Sequence, residues 1–142
     1  MTTQYFDVAI VGAGAAGIAT AASLKQRQRH LSVVLIDPAE THYYQPGWTM
    51  VGGGVFQAPS TARSTASVVP SNVAWIQQSV QDFQPDDNML SLEDGGTVCY
   101  EQLVVAPGLK LDWDGVEGLS ENLGRNGVTS NYAYHTASYT WE

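Results

Sequence analysis

The sequence predicts an α/β protein built on a Rossmann-like three-layer domain, with an inserted β-meander and an incomplete C-terminal end. Three observations predict it. Residues 6–11, Phe-Asp-Val-Ala-Ile-Val, form an almost unbroken apolar run of strand formers. Gly12-Ala13-Gly14-Ala15-Ala16-Gly17 follows and leads into a helical pattern reaching Lys25. A second apolar run, Ser32-Val33-Val34-Leu35-Ile36, ends on Asp37. Strand, glycine turn, helix, strand and acid make the βαβ unit that binds a dinucleotide.

Each glycine has its own reason. Gly12 lets the chain turn sharply as it leaves the strand, Gly14 lets a pyrophosphate approach the backbone, and Gly17 lets the helix pack closely on the sheet. The free N–H groups and positive dipole end of helix 15–25 then face the phosphates. Asp37 lies twenty residues after Gly17, where a carboxylate accepts hydrogen bonds from ribose hydroxyls. It would repel a 2′-phosphate, which disfavours NADP. The motif alone does not choose between NAD and FAD.

The chain of 142 residues is long enough for one core of ordinary size. Hydrophobic residues make up 44% and charged residues 14%, so disorder is not expected. The net charge is −8. From Asp82 to Glu121 ten acids face only Lys110, which makes nucleic acid a poor partner. A solvated acidic surface is sufficient to explain them.

Cys99 is the single cysteine, so there is no internal disulfide framework. Met1-Thr2-Thr3-Gln4 carries no basic n-region and no cleavage site. No run of eighteen apolar residues occurs. The expected location is cytoplasmic, or peripheral at a membrane face. His30, His42 and His135 do not cluster with Cys or acids at ligand spacing, so no metal site is expected. His42 reads as a loop hydrogen-bonder, and no catalytic residue is assigned within the chain.

Past Asp37, Pro38 stops the strand. Thr41–Met50 is aromatic-rich and irregular, broken by Pro46-Gly47 and then by Gly52-Gly53-Gly54, so it is a loop or a short helical turn. Its aromatics either cover something flat or pack the loop down. Residues 58–72 pass for a linker or hold a small helix around Thr61–Val68 that ends before Pro70. Short strands follow at Val73–Ile76, Ser79–Phe83, Met89–Leu92 and Thr97–Tyr100. Asp86-Asp87-Asn88 is a turn, and Asp94-Gly95-Gly96 marks a hairpin. Gln102–Ala106 reads as a separate, buried parallel strand ending in Pro107-Gly108. A helix begins at Thr136.

The stretch His42-Tyr43-Tyr44-Gln45-Pro46-Gly47-Trp48-Thr49-Met50-Val51-Gly52-Gly53-Gly54 resembles the sulfide:quinone oxidoreductases, flavoproteins with two dinucleotide-binding domains related to the disulfide reductases. The likeness extends to the glycine turn, Asp37, Pro70–Ile76, Ala106-Pro107-Gly108, Ser130-Asn131-Tyr132 and Thr140-Trp141-Glu142. The Tyr-Gln-Pro-Gly-Trp segment is its specific part.

The resemblance implies FAD in the glycine turn. The pyrophosphate would lie near Gly12, Gly14, Ala15 and Ala16, with Gly17 behind them and Asp37-Pro38 at the adenosine ribose. Gln45 and its neighbours, Trp48 among them, would approach the flavin ring. The Val80 backbone would meet the adenine, and Ala106 and Gly108 would flank the cofactor. The family's usual Ala-Thr-Gly turn has Pro107 in place of Thr here, which removes a hydroxyl and a backbone N–H.

The family also uses two cysteines that take sulfur from sulfide and pass two electrons to the flavin, which reduces a membrane quinone. Cys99 matches neither, and free cysteine is commonly a small buried hydrophobe. The expectation is therefore the first third of such an enzyme, inactive alone. Residues 1–110 would be the first part of the FAD-binding domain. Residues 111–142 would be the connection and the start of a second, truncated dinucleotide-binding-like domain. Membrane contact would come only through parts beyond the chain. The rivals are an NADH:quinone dehydrogenase of the same fold, which Tyr44–Trp48 argues against, and a plain NAD dehydrogenase, which the meander argues against. A non-catalytic nucleotide-binding fragment is the alternative outside enzymes.

Overall fold

The computed structural model describes residues 2–142. Two compact units divide the chain. One takes the residues up to His42 together with Ser64–Gly108, and the other takes Tyr43–Arg63 and Leu109–Glu142.

The first unit is built on β1 (Thr3–Val11), which leads through the glycine turn into α1 (Ala15–Arg27) and then β2 (Val33–Ile36). β1 and β2 pair in parallel, Val8 opposite Val33 and Val11 opposite Ile36. Their apolar runs are buried on both sheet faces, as a parallel strand requires. Because side chains alternate, each run splits between two cores. Val8, Ile10, Val33 and Leu35 share one face with Ala21, and Ile18 and Leu24 of α1 pack against them. Ala9, Val11, Val34 and Ile36 share the other with Leu90, Leu92, Val98 and Tyr100. Ile10 and Leu35 are fully buried, and each such side chain stabilises the fold by about 1.5–3 kcal/mol. α1 is closed by Lys25, whose Nζ donates to the carbonyls of Arg29 and Leu31 at 2.9 and 2.6 Å. The side chain is buried while its charge satisfies the exit turn.

A separate two-stranded ribbon joins β3 (Thr41–Tyr43) to β4 (Ala62–Ser64). The second unit begins with a 3₁₀ turn at Gln45–Gly47 and α2 (Trp48–Gly52), which matches the loop or short turn expected there. The helix expected over Thr61–Val68 is confined to α3 (Thr65–Val68), preceded by a 3₁₀ turn at Ala58–Thr61 and by β4. Pairing of Ala62–Ser64 in the ribbon draws those residues out of helical geometry. α3 is then fixed by Thr65, whose N–H and hydroxyl donate to the carbonyls of Glu40 and Ala39 at 2.8 and 2.7 Å.

The remaining strands are β5 (Ala74–Ile76), β6 (Val80–Gln84), β7 (Met89–Leu92) and β8 (Thr97–Val105), and the six-stranded sheet runs β5-β2-β1-β8-β7-β6. β6, β7 and β8 form the antiparallel meander. The two strands expected at Thr97–Tyr100 and Gln102–Ala106 are one strand. β8 pairs with β1 in parallel from Thr3↔Thr97 to Val11↔Val105, and only its first part also pairs with β7. Glu101 and Gln102 interrupt the apolar pattern but not the ladder, because they are exposed there.

In the second unit Trp48, Val51 and Ala137 form the core, with Ala58 and Tyr134 packed against it. α4 (Leu119–Asn122) and α5 (Tyr134–Ala137) complete the helices, and α5 begins two residues before the expected Thr136.

One lock ties β1 to the start of β2. Ser32 donates its N–H and hydroxyl to Asp7 Oδ2 at 2.6 and 2.8 Å, and Asp7 N–H donates to Ser32 Oγ at 2.8 Å. The Ser32 N–H, then its hydroxyl, and more weakly the charges of His30 and Lys25, hold the Asp7 carboxyl below the ordinary aspartate range, with slight desolvation opposing them. A lowered folded value means that the stability is fully present above about pH 4 and is lost as pH falls through it. Asp7→Asn should therefore unfold at lower urea than the parent chain at pH 7, with the gap closing toward pH 3. A gap that is absent at pH 7, or constant with pH, would disprove the lock.

Candidate functional site

The site grows from the carboxyl end of β1. Beyond Val11 the ladder continues for one residue on each side: Gly12 N–H donates to Ile36 O and Ala106 N–H donates to Val11 O, both at 2.8 Å. Gly12 turns with φ of +102°, a conformation side chains rarely adopt, and an added Cβ would strike the Ala106 carbonyl. A Cβ on Gly17 would overlap the Gly12 carbonyl oxygen. Both glycines are therefore required by the protein's own packing.

Gly14 is different. Its φ of −72° suits any residue, and a Cβ there would meet nothing within 4 Å. Gly14, Ala15 and Ala16 are exposed, while Gly12, Ala13 and Gly17 are buried. Gly14 caps α1 without a side-chain hydrogen bond, and no acid occupies the first turn. The first N–H groups of α1 thus have no intrahelical partner, and no side chain of the helix's own first turn offsets the positive end of its dipole. A buried scaffold supports three exposed residues whose amides suit an anion.

Asp37 stands beside this turn at the end of β2. Its Oδ2 accepts Ala13 N–H at 2.7 Å and its Oδ1 accepts Ala39 N–H at 2.8 Å. Each carboxylate oxygen keeps acceptor capacity for a hydroxyl. A cleft of about 360 Å³ opens here, bringing together four expected residues, Gly12, Asp37, Pro38 and Val80. Asp37 is its only charged lining residue among those described. The cleft lies outside the carboxyl ends of parallel strands, where the chain departs from β1 to β2 on one side and β8 on the other, as doubly wound sheets place their ligands. Ala106 is half-buried and Gly108 exposed, the latter at φ of +82° with open space around it.

Gln45 lies in the second unit. It lines a cavity of about 410 Å³ with Pro46, Thr49, Leu109, Asn131 and Tyr132. In that unit Trp48 is buried. Its Nε1 donates to Thr61 Oγ1 at 3.2 Å, and its ring lies 6.0 Å from Tyr43 and 6.3 Å from Tyr134. Its aromatic character is spent on the unit's own core, while Tyr44 and Gln45 are exposed.

Sequence reasoning missed Gln78, Ser79 and Phe83, which also line the first cleft. The signal was present: Gln78-Ser79 leave the carboxyl end of β5, at the same sheet edge as Asp37. It also missed Trp75, whose Nε1 donates to Asp37 O at 3.0 Å and steadies the acid's backbone. Cys99, expected buried, is half-buried. Among the described residues no cluster of His, Cys, Asp or Glu could hold a metal ion, and no helix is long and apolar enough to cross a membrane.

A βαβ turn with exposed residues at its helix start and an acid at the end of the second strand has the form expected of a dinucleotide-binding domain, and the family model for pyridine nucleotide-disulphide oxidoreductases matches residues 6–138. The chain belongs to that family. Within it, the chain is 43% identical over 136 residues to the mitochondrial sulfide:quinone oxidoreductase of Dictyostelium discoideum, covering 95% of this chain and 30% of that protein. It is 38% identical to the mitochondrial sulfide:quinone oxidoreductase of Mus musculus, over 98% of this chain and 31% of that one. The crystal structure of the sulfide:quinone oxidoreductase from the hyperthermophilic bacterium Aquifex aeolicus superposes with a TM-score of 0.77 at 27% identity, covering 99% of this chain and 31% of that one. The chain thus spans about a third of the length of these relatives. The resemblance carried by His42–Gly54, with Tyr44–Trp48 as its specific part, is borne out.

The three glycines should respond with opposite signs. Gly12→Ala and Gly17→Ala each force a backbone shift and should lose about 2–3 kcal/mol or more. Gly14→Ala should be neutral or gain up to about 1 kcal/mol by restricting the unfolded chain. Urea unfolding of the three variants checks this, and equal losses at all three would show that Gly14 is also held by packing.

Proposed function

We propose that this chain is the FAD-binding N-terminal part of a sulfide:quinone oxidoreductase. The observation that carries the reading is the open space at Gly14 above unpaired helix amides, in a chain similar to such enzymes along almost its whole length. FAD, when bound, supplies the two-electron redox centre. The amides of Gly14, Ala15 and Ala16 bind its pyrophosphate, with Gly12 and Gly17 holding the turn behind them. Asp37 and Pro38 receive the adenosine ribose. Val80, joined by Phe83, borders the adenine. Gln45 belongs to the segment that approaches the flavin. Ala106 and Gly108 lie in the turn beside FAD. Sulfide is the electron donor of the whole enzyme and a membrane quinone the acceptor. Membrane contact is peripheral and lies outside this chain. Residues 1–110 are the first part of the FAD domain, and residues 111–142 are the connection and the start of the second dinucleotide-binding-like domain.

Gly14→Val tests the cofactor. The extended backbone at Gly14 accepts a β-branched residue, so the fold should survive while two methyl groups occupy the pyrophosphate position. Flavin released by acid from the purified variant should fall at least tenfold. Equal flavin in Gly14→Val and a loaded parent would overturn the reading.

The catalytic inactivity of this chain alone has its own test. The family's route needs a thiol pair near the flavin, and the sequence holds only Cys99. Cys99 pairs with Tyr5, at the end of the sheet away from the cleft, about 20 Å along β1 from Gly12. The FAD-loaded chain should not reduce a soluble quinone with sulfide. Turnover that vanished in Cys99→Ser would overturn this assignment.

A further inference from the structure

Ala13, inside the phosphate turn, is held from both sides. Its N–H donates to Asp37, and its carbonyl oxygen lies 3.0 Å from His42 Nδ1. A carbonyl can only accept, so Nδ1 carries the proton and donates. His42 is half-buried and reaches the turn from 29 residues away in sequence.

We propose that His42 is a positioning residue for the dinucleotide's pyrophosphate: by holding the Ala13 carbonyl it keeps the Gly14 N–H aimed at the phosphate side of the turn. The proposal rests on the flavin reading above. The peptide between Ala13 and Gly14 is trans, so its C=O and N–H point in opposite directions within one rigid plane. Fixing the carbonyl on His42 fixes the N–H on the other side. That N–H has no hydrogen-bond partner among the described residues.

The preceding peptide is pinned in the same way. Its N–H is on Asp37, and its carbonyl, that of Gly12, faces Gly17. The following peptide plane needs the same treatment, because the glycine that admits the pyrophosphate also permits positive φ. Rotation of the 13–14 peptide would put a carbonyl oxygen where the N–H belongs, against a phosphate's negative charge. His42 opposes that rotation. Asp37 gains a second task from the same arrangement, since the carboxylate placed for the ribose also sets the edge of the turn.

The test uses the full chain with His42→Ala, His42→Asn and His42→Gln. Asparagine puts an amide nitrogen where Nδ1 stood, and glutamine puts it one methylene farther out. FAD affinity should fall about fivefold in His42→Ala, equivalent to about 1 kcal/mol for one neutral hydrogen bond. His42→Asn should recover to within about twofold of the parent, and His42→Gln should not. Unchanged affinity in His42→Ala, or His42→Asn no better than His42→Gln, would overturn the proposal. A ligand-free arm separates it from the flavin reading: ¹⁵N spectra should place the neutral ring's proton on Nδ1, with Ala13 amide exchange accelerated in His42→Ala. A parent chain that takes up no FAD would sink the flavin reading. A ring protonated on Nε2 alone would sink the clamp.

Discussion

The rest of the structure depends on how closely three stretches of backbone meet at one corner of the sheet. The carbonyl of Ala106, at the end of β8, faces Gly12, and the carbonyl of Gly12 faces Gly17 in the first turn of α1. No side chain fits between them. That absence lets α1 begin at the sheet edge itself, directly after the Gly12 that lines the cleft. The bonds from Gly12 to Ile36 and from Ala106 to Val11 hold the corner from both neighbouring strands. Asp37 follows directly from Ile36, so the acid's place is fixed by the same ladder. Moving any of the three backbones outward would open the amides, the acid and the cleft together.

β1 adds a gradient of burial along its length. Thr3–Tyr5 are exposed, whereas Val8–Val11 are buried on both faces. The glycine corner therefore stands on the driest part of the sheet, where fixed dipoles act more strongly than in water. The wet end carries the Asp7–Ser32 lock, which needs no burial to form. Stability of the strand pair is thus divided: apolar packing near the cleft, hydrogen bonding at the far end. A ligand at the cleft meets a turn whose support does not have to rearrange, which is the condition for binding by preorganised donors.

Much of this was legible in the sequence because short-range rules govern it. The βαβ unit rests on periodicity, turn chemistry and a fixed spacing to Asp37, and all three are local. The hairpin at Asp94-Gly95-Gly96 is local as well. Strand β8 was not legible as one element, because Glu101 and Gln102 break its pattern while the ladder to β1 carries it through. Burial patterns report side chains, and the ladder is a property of the backbone. Gln78, Ser79 and Phe83 were missed for a related reason: they reach the cleft through the sheet order, which no window of sequence contains. His42 reads as a loop hydrogen-bonder; the hydrogen bond is present, to Ala13, but the residue lies in strand β3 and not in a loop. Its partner could not be named before the fold was known.

The aromatic segment 43–48 shows how one composition serves two demands. The second unit is assembled from two short pieces of chain with few regular elements, and a unit that small buries little apolar surface unless its side chains are large. Trp48 answers that demand, packed among Tyr43, Tyr134 and Val51 with its indole N–H bonded to Thr61. Tyr43 and Tyr134 lie 4.8 Å apart and close the same cluster. Once those rings are accounted for, the residues left open are Tyr44, Gln45 and Pro46, and Gln45 and Pro46 share a cavity with Asn131 and Tyr132. The motif that most specifically suggests a flavin therefore divides in two. Its tryptophan builds the unit's core, and its glutamine stays exposed. That division explains why a large indole and a small polar amide sit three residues apart: the 3₁₀ turn at Gln45–Gly47 leaves the amide of Gln45 outside the core and brings the indole of Trp48 into it.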